Sequence, residues 1–237
     1  MLIHALRAPV FATNTLVVAP QEGGPAVVVD PGAGTGPLVD AVLARRRLHI
    51  GAVLLTHGHP DHVWDCASVA PDGPVHVGAG DVDWLRDPGA LLGPALGPMF
   101  ASLVDTAWHA PAHVTPIGTG RVEPVPGLVL EAIPAPGHTA GSTLFQLSGC
   151  EELTGPAFAE AGVRDHGGPV VLTGDVLFAG SVGRTDLPGG DERRMAETLR
   201  DLAARLPHDA LLVPGHGPAT TMARELATNP FLAQVQG

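Results

Sequence analysis

Tyrosine and lysine are both absent from the 237 residues of this chain, and all thirteen basic residues are Arg. Neither absent side chain can therefore serve as acid, base or nucleophile. Cysteine occurs twice, as Cys66 and Cys150, far apart and without a CxxC spacing. Such a pair reads as two reduced thiols rather than a disulfide. Positive charge is scarce: thirteen basic against 24 acidic residues leave a net charge of −11, which argues against nucleic acid or an anionic membrane as partner. Long apolar runs are missing too, none reaching the roughly 18 residues of a membrane span. The opening MLIHALRAPVFA is broken by His4, Arg7 and Pro9, so it lacks the unbroken apolar stretch of a signal peptide. A cytoplasmic location is expected.

What the chain does have is a globular composition, 45% hydrophobic and 16% charged, and enough length for a sizeable core. NTLVVA and AVVVD read as strands, the second ending in an Asp30-Pro31-Gly32 turn. TGPLVDAVLARRRL is expected to be helical, with Thr35 as N-cap and Leu38, Val42 and Leu43 on its inner face. AVLLT is a buried strand, DHVWDCASVA a helical stretch, and VHVG, LVLEAIPA, STLFQLS, VVLTG and ALLVP are further strands. DERRMAETLRDLAARL has Met195, Leu199 and Leu202 at helical spacing. Two stretches look irregular. Residues 81–113, rich in Gly and Pro, read as a surface insertion on a single domain spanning 1–237, and GCEELTGPAFAEAGVRDHGGP reads as an excursion between strands. His109 and His113 are separated by Pro111, which excludes a helical metal pair.

The densest chemistry lies in LLTHGHPDHVWD. His57 and His59 follow a strand two residues apart, so an extended backbone turns both imidazoles to one side, with Gly58 easing the turn between them. Asp61 and His62 come after Pro60, where a helix can begin and redirect the next two side chains toward a neighbouring point. Four residues cannot complete two metal positions. His138 in PAPGHT, Asp175 in LTGDVLF and His216 in VPGHG each occupy a Gly-bearing turn straight after an apolar strand, and loops at one sheet edge converge.

These segments resemble the metallo-β-lactamase superfamily over nearly the whole chain. THGHPDH, PGHTAGS, GDVLFAGSVGRTDLPGGD, PGHGPATT and the terminal NPFL are similar, in order, to motifs of the short bacterial glyoxalase II-like hydrolases. The resemblance implies an α/β fold, an αββα sandwich of two mixed sheets packed face to face with helices outside. It also implies two divalent metal ions. One would be held by His57, His59 and His138, the other by Asp61, His62 and His216, with Asp175 bridging and with Asp61 and Asp175 as the catalytic carboxylates. Zinc suits these donors, and iron or manganese is compatible. The implied reaction is attack of a metal-held hydroxide on a small-molecule thioester, by a monomer or small homo-oligomer. Asp30 is either a turn residue or a partner orienting a ligand histidine; Arg184 and Asp186 either meet substrate or pair with each other.

The main alternative is a persulfide dioxygenase, whose single iron would use His57, His138 and Asp175. Other relatives fit less well. A lactonase of the superfamily uses a Tyr, a flavodiiron protein has Glu where His59 stands, and a nucleic-acid-processing member needs a basic groove. A metal-stabilised binding scaffold would not need the full ligand set. Larger glyoxalase II enzymes bind glutathione with Tyr, Lys and a C-terminal helical domain, all missing here.

Overall fold

Alternate residues along the central strands are apolar on both sides, and this pattern determines how the layers stack. Leu16, Val18, Val27, Val29, Ala52 and Leu54 are buried in one cluster, while their immediate neighbours Val17, Ala19, Val28, Val53 and Leu55 are buried in another. A strand apolar on both faces must be covered on both. The computed structural model, which describes residues 1–236, meets that demand with two sheets back to back and helices outside.

The first sheet takes β1 (Leu2–Arg7), β2 (Asn14–Ala19), β3 (Pro25–Val29), β4 (His49–Leu55), β5 (Pro74–Gly78) and β6 (His113–Ile117) in sequential order. The second contains β7 (Gly120–Val125), β8 (Leu128–Pro134) and β9 (Thr143–Leu147). The chain then returns β10 (Glu152–Thr154) to the edge of the first sheet, parallel to β1 with Leu2 opposite Glu152. It re-enters the second sheet as β11 (Val170–Gly174), turns through a small hairpin of β12 (Leu177–Phe178) and β13 (Ser181–Val182), and completes the sheet with β14 (Leu211–Pro214) and β15 (Thr220–Thr221). Both sheets are mixed: β3, β4, β5 and β6 run parallel, as do β11 and β14, whereas β1–β2–β3 and β7–β8–β9–β11 are antiparallel.

Between the sheets lie Leu54, Leu16 and Val27 against Leu130, Phe145, Leu172 and Val213. Over the outer face of the first sheet sit α1 (Gly36–Arg46), α2 (Pro60–Val63) and α3 (Cys66–Val69). The buried arc of α1 is Val39, Val42 and Leu43; Leu38, expected to face inward, is 38% exposed because it lies one position off the i, i+3, i+4 stripe. Thr35 stands at the N-cap, but its hydroxyl donates to the Gly32 carbonyl, and Asp65 accepts from the Gly36 N–H instead.

A 3₁₀ helix (Ala79–Leu85), α4 (Pro88–Leu91) and α5 (Gly93–Ala101) form the stretch before β6. It is not wholly superficial: Asp81, Trp84, Leu85 and Phe100 are buried, and His113 already belongs to β6. The stretch expected to be irregular after Cys150 is ordered as β10 and α6 (Pro156–Ala161), whose Ala157 and Phe158 enter the inter-sheet core. Gly155-Pro156 at its start and a left-handed Gly162 at its end are ordinary helix boundaries that a sequence reading could have used.

On the far face, α7 (Glu192–Arg205) presents Met195, Leu199 and Leu202 to the second sheet, capped by the Asp191 carboxylate on the Arg194 N–H. The helices α8 (Met222–Thr228) and α9 (Pro230–Gln236) complete that layer. No helix among the described residues is long and apolar enough to cross a membrane.

Candidate metal centre

The C-terminal ends of β4, β11 and β14 and the turn between β8 and β9 open at one edge of the sandwich, and each delivers donors there. All seven expected donors meet. Within 4.8 Å of one another stand donor atoms of His57, His59 and His138, of His57, His62 and Asp175, and of Asp61, His62 and His216. His59 Nδ1 is 2.8 Å from His138 Nε2, and His62 Nε2 is 3.2 Å from His216 Nε2. Asp175 lies between the groups, with Oδ1 3.3 Å from His62 Nε2, and Oδ2 3.4 Å from His216 Nε2 and 3.8 Å from His138 Nε2. Donors about 2.0–2.1 Å from a tetrahedral ion stand about 3.3 Å apart, so these spacings suit a shared metal.

Two further observations test that fit. His57 Nε2, His59 Nε2 and Asp175 Oδ1 are buried without a hydrogen-bond partner, a costly condition unless something else satisfies them. The imidazoles also differ in charge preference. Burial, then the neighbouring imidazoles, pushes His57 well below the usual histidine range; burial and His138 lower His59 to about 3. Burial acts in the same direction on His62 and His216, but carboxylates outweigh it. Asp175, Asp61 and Asp30 hold His62 well above its ordinary value, and Asp175 with Asp61 raises His216 to about 9. Burial opposes ionisation of Asp175 and Asp61, and the cationic imidazoles of His62 and His216 overcome it in both. The cluster thus offers uncharged nitrogen donors on one side and a carboxylate pair that attracts positive charge on the other.

Four of the histidine donors are aimed by an outer contact. Thr56 Oγ1 lies 3.1 Å from His57 Nδ1, the Arg184 carbonyl 2.7 Å from His138 Nδ1, and the Phe11 carbonyl 3.1 Å from His216 Nδ1. Asp30, whose role the sequence left open, takes the orienting one. Its carboxylate accepts from the Thr56 N–H at 2.8 Å and hydroxyl at 2.6 Å, and lies 2.9 Å from His62 Nδ1. Gly58 is required for space: a Cβ there would fall on the side chain of Trp84, which stands edge-on to His59 at 5.0 Å. Its φ is not in the left-handed region, so Gly58 serves the expected tight passage by leaving room rather than by adopting a conformation closed to other residues.

Asp81 was missed by the sequence reading. Fully buried, its carboxylate accepts from the Gly58 N–H at 2.8 Å, the Thr139 hydroxyl at 2.6 Å and the Gly141 N–H at 2.7 Å, joining the His57–His59 loop to the His138 loop. No local signal separates it from the other acids of a Gly/Pro-rich stretch. Arg184 and Asp186 pair with each other through two 2.7 Å hydrogen bonds at the surface. Away from the centre, His109 and His113 are exposed, and Cys66 and Cys150 are free and buried.

Above the donors opens a cavity of about 410 Å³. Its floor includes His59, Asp61, His138, Asp175 and His216. Residues 8–151 match the family described as the Metallo-beta-lactamase superfamily. An uncharacterized protein of Mycobacterium tuberculosis is 36% identical over 236 residues, covering 98% of each chain. The hydroxyacylglutathione hydrolase GloC of Haemophilus influenzae is 28% identical over 235 residues, again 98% of each. Among solved structures, the B3 metallo-beta-lactamase BLEG-1 superposes with a TM-score of 0.74 at 27% identity, over 98% of this chain and 99% of that one. TTHA1623 in a di-iron-bound form gives 0.72 at 29%, over 96% and 98%. ETHE1 of Myxococcus xanthus, with a TM-score of 0.70 at 20% identity over 100% and 91%, shares the fold.

Proposed function

Because the chain belongs to the metallo-beta-lactamase superfamily, we propose that it is a metal-dependent hydrolase of thioesters, acting in the manner of glyoxalase II. His57, His59 and His138 would hold one divalent ion and Asp61, His62 and His216 a second, with Asp175 between them. The donor set suits zinc, with iron or manganese compatible. Bound there, two such ions supply Lewis acidity and bring the ionisation of water near neutral pH.

The chain's own residues supply the rest. Asp61 and Asp175, both on the cavity floor, accept hydrogen bonds from a water and fix it before the scissile carbonyl. The Thr13 hydroxyl donates to Asp61 at 3.3 Å and holds that carboxylate in place. The outer contacts on His57, His62, His138 and His216 fix each ring's orientation. None of these roles calls for the missing Tyr or Lys. The observation that carries the reading is the convergence of seven donors, several with buried and unpartnered atoms, five of which form the floor of one cavity. The thioester class is supported by the likeness to GloC. A small-molecule substrate and a cytoplasmic setting belong to the same proposal, and the net charge of −11 supports its exclusion of nucleic acid and anionic membrane as partners.

Metal analysis of the purified protein, paired with hydrolysis of a lactoyl thioester and thiol-dependent oxygen uptake on a persulfide, tests it. About two ions per chain with thioester cleavage is the expected result. A single iron with oxygen uptake and no cleavage would mark a persulfide dioxygenase instead.

A further inference from the structure

The stretch APVFATN crosses the mouth of the cavity between β1 and β2, with a backbone that its residues do not favour. Phe11 and Ala12 have φ of 56° and 58°, in the left-handed region that is strained for a non-glycine residue. A bulky aromatic is among the residues least suited to it. The ring so held is not buried in compensation: Phe11 is 50% exposed, leaning on Phe100 of α5 at 5.9 Å. Its carbonyl faces His216 Nδ1, so the strained segment fixes both a donor of the centre and an apolar surface beside it.

That surface continues. Leu92 between α4 and α5, Leu96, Met99 and Phe100 from α5, and Phe178 from β12 line the same cavity as Phe11, and Met99 is also 50% exposed. Phe178 stands edge-on to His216 at 6.2 Å, so aromatic residues flank the Asp61–His216 side of the floor. Charge is nearly absent from the walls. Among the described lining residues, Arg184 is the one charged side chain that is not a candidate metal donor, and Asp186 already engages its guanidinium. Glutathione carries two carboxylates and an ammonium group, and these walls offer no free partner for them.

We infer that this wall receives an apolar acyl chain, so that the substrate is the thioester of a medium-length fatty or otherwise hydrocarbon-like acid. The inference rests on the thioesterase reading above and specifies which half of the substrate the cavity recognises. The acyl half is assigned because thiols that carry acyl groups in cells are hydrophilic, leaving the acid as the part able to match an apolar wall. Contact with such a wall strengthens transition-state binding about three- to fourfold per buried methylene.

The test uses the metal-loaded protein and N-acetylcysteamine thioesters from acetyl to octanoyl, together with the lactoyl thioesters of N-acetylcysteamine and of glutathione. The expected result is a kcat/KM that rises at least tenfold from acetyl to octanoyl, with glutathione giving no advantage over the uncharged carrier. Met99→Asp should lower the octanoyl-to-acetyl ratio tenfold or more at unchanged metal content, and Phe11→Gly, which removes the ring while suiting the backbone, should lower the same ratio when compared at equal metal loading. A flat chain-length series, or clear preference for the glutathione ester, would overturn the inference while leaving thioesterase activity standing. Should no thioester be cleaved, ketone analogues in which CH₂ replaces the ester sulfur separate the two ideas. Tighter binding of the octanoyl analogue than of the acetyl one keeps the wall and discards the hydrolase, and equal binding discards the wall.

Discussion

The two candidate metal positions are built from opposite materials. His57, His59 and His138 are between 1% and 4% exposed, and burial favours their uncharged, metal-binding form. The other group contains a carboxylate, Asp61, and the half-exposed His216 with its side chain 26% accessible, and its imidazoles are drawn toward the protonated state. The first position selects by dry, preorganised nitrogen donors; the second attracts by charge and opens to solvent. Each has its own outer carboxylate. Asp81 links the two loops of the three-histidine group, whereas Asp30 fixes His62 of the other. Were both positions filled, the first would be expected to hold its ion more firmly than the second.

Asp175 touches both groups, so its removal should produce the largest effect. Asp175→Ala is expected to lose metal from both positions and hydrolysis to the level of the metal-free protein, as metal analysis beside an activity assay would show. Retention of full activity would end the binuclear assignment. His216→Ala comes next and should separate the halves. The ion of the three-histidine group is expected to remain while the other is lost, and a chelator titration of the unaltered protein should strip ions in the same order. Simultaneous loss would show that the halves act as one.

Smaller effects are expected from the outer carboxylates. Asp30→Asn should weaken metal affinity about 10–100-fold, chiefly at the His62 position. Asp81→Asn should instead weaken the three-histidine position, and it should cost about 1–3 kcal/mol of stability because a buried donor loses its partner. Metal titrations of the two variants, with denaturant unfolding of the second, would reveal any crossing of these effects. The least is expected at the surface. The Arg184 guanidinium lowers the Asp186 carboxyl to about 2, so its pairing is complete above the ordinary carboxylate range and fades as pH falls toward 2. Solvent screens this exposed pair, and Asp186→Asn should leave the melting temperature at neutral pH nearly unchanged.

Legibility followed locality. The donors were readable because each follows an apolar strand in a turn containing glycine, and such turns gather at one sheet edge. The apolar run from Leu16 to Ala19 likewise reads as a strand, and the structure buries its residues alternately on the two faces. Asp30 remained ambiguous, because whether a turn aspartate reaches Thr56 and His62 depends on β3 and β4 lying side by side. Asp81 was invisible, since its three donors come from residues 58, 139 and 141. Leu38 was misplaced by one helix position, an error that only the direction of α1 over the sheet corrects. Phe11 carries no local signal either, because its place beside the donors depends on Phe100 and His216.

The sequence by itself determined the donor chemistry, the two-faced strands and the exclusion of Tyr and Lys from any mechanism, because these depend on residue identity and short-range spacing. The tertiary structure decided which carboxylate supports which histidine, and that a strained Phe11 leans on Phe100 and lines one cavity with Met99 and Phe178 above the donors. Those contacts join segments as much as two hundred residues apart, as in the Phe11 carbonyl facing His216. Packing, rather than any local pattern, brings them within a few ångströms.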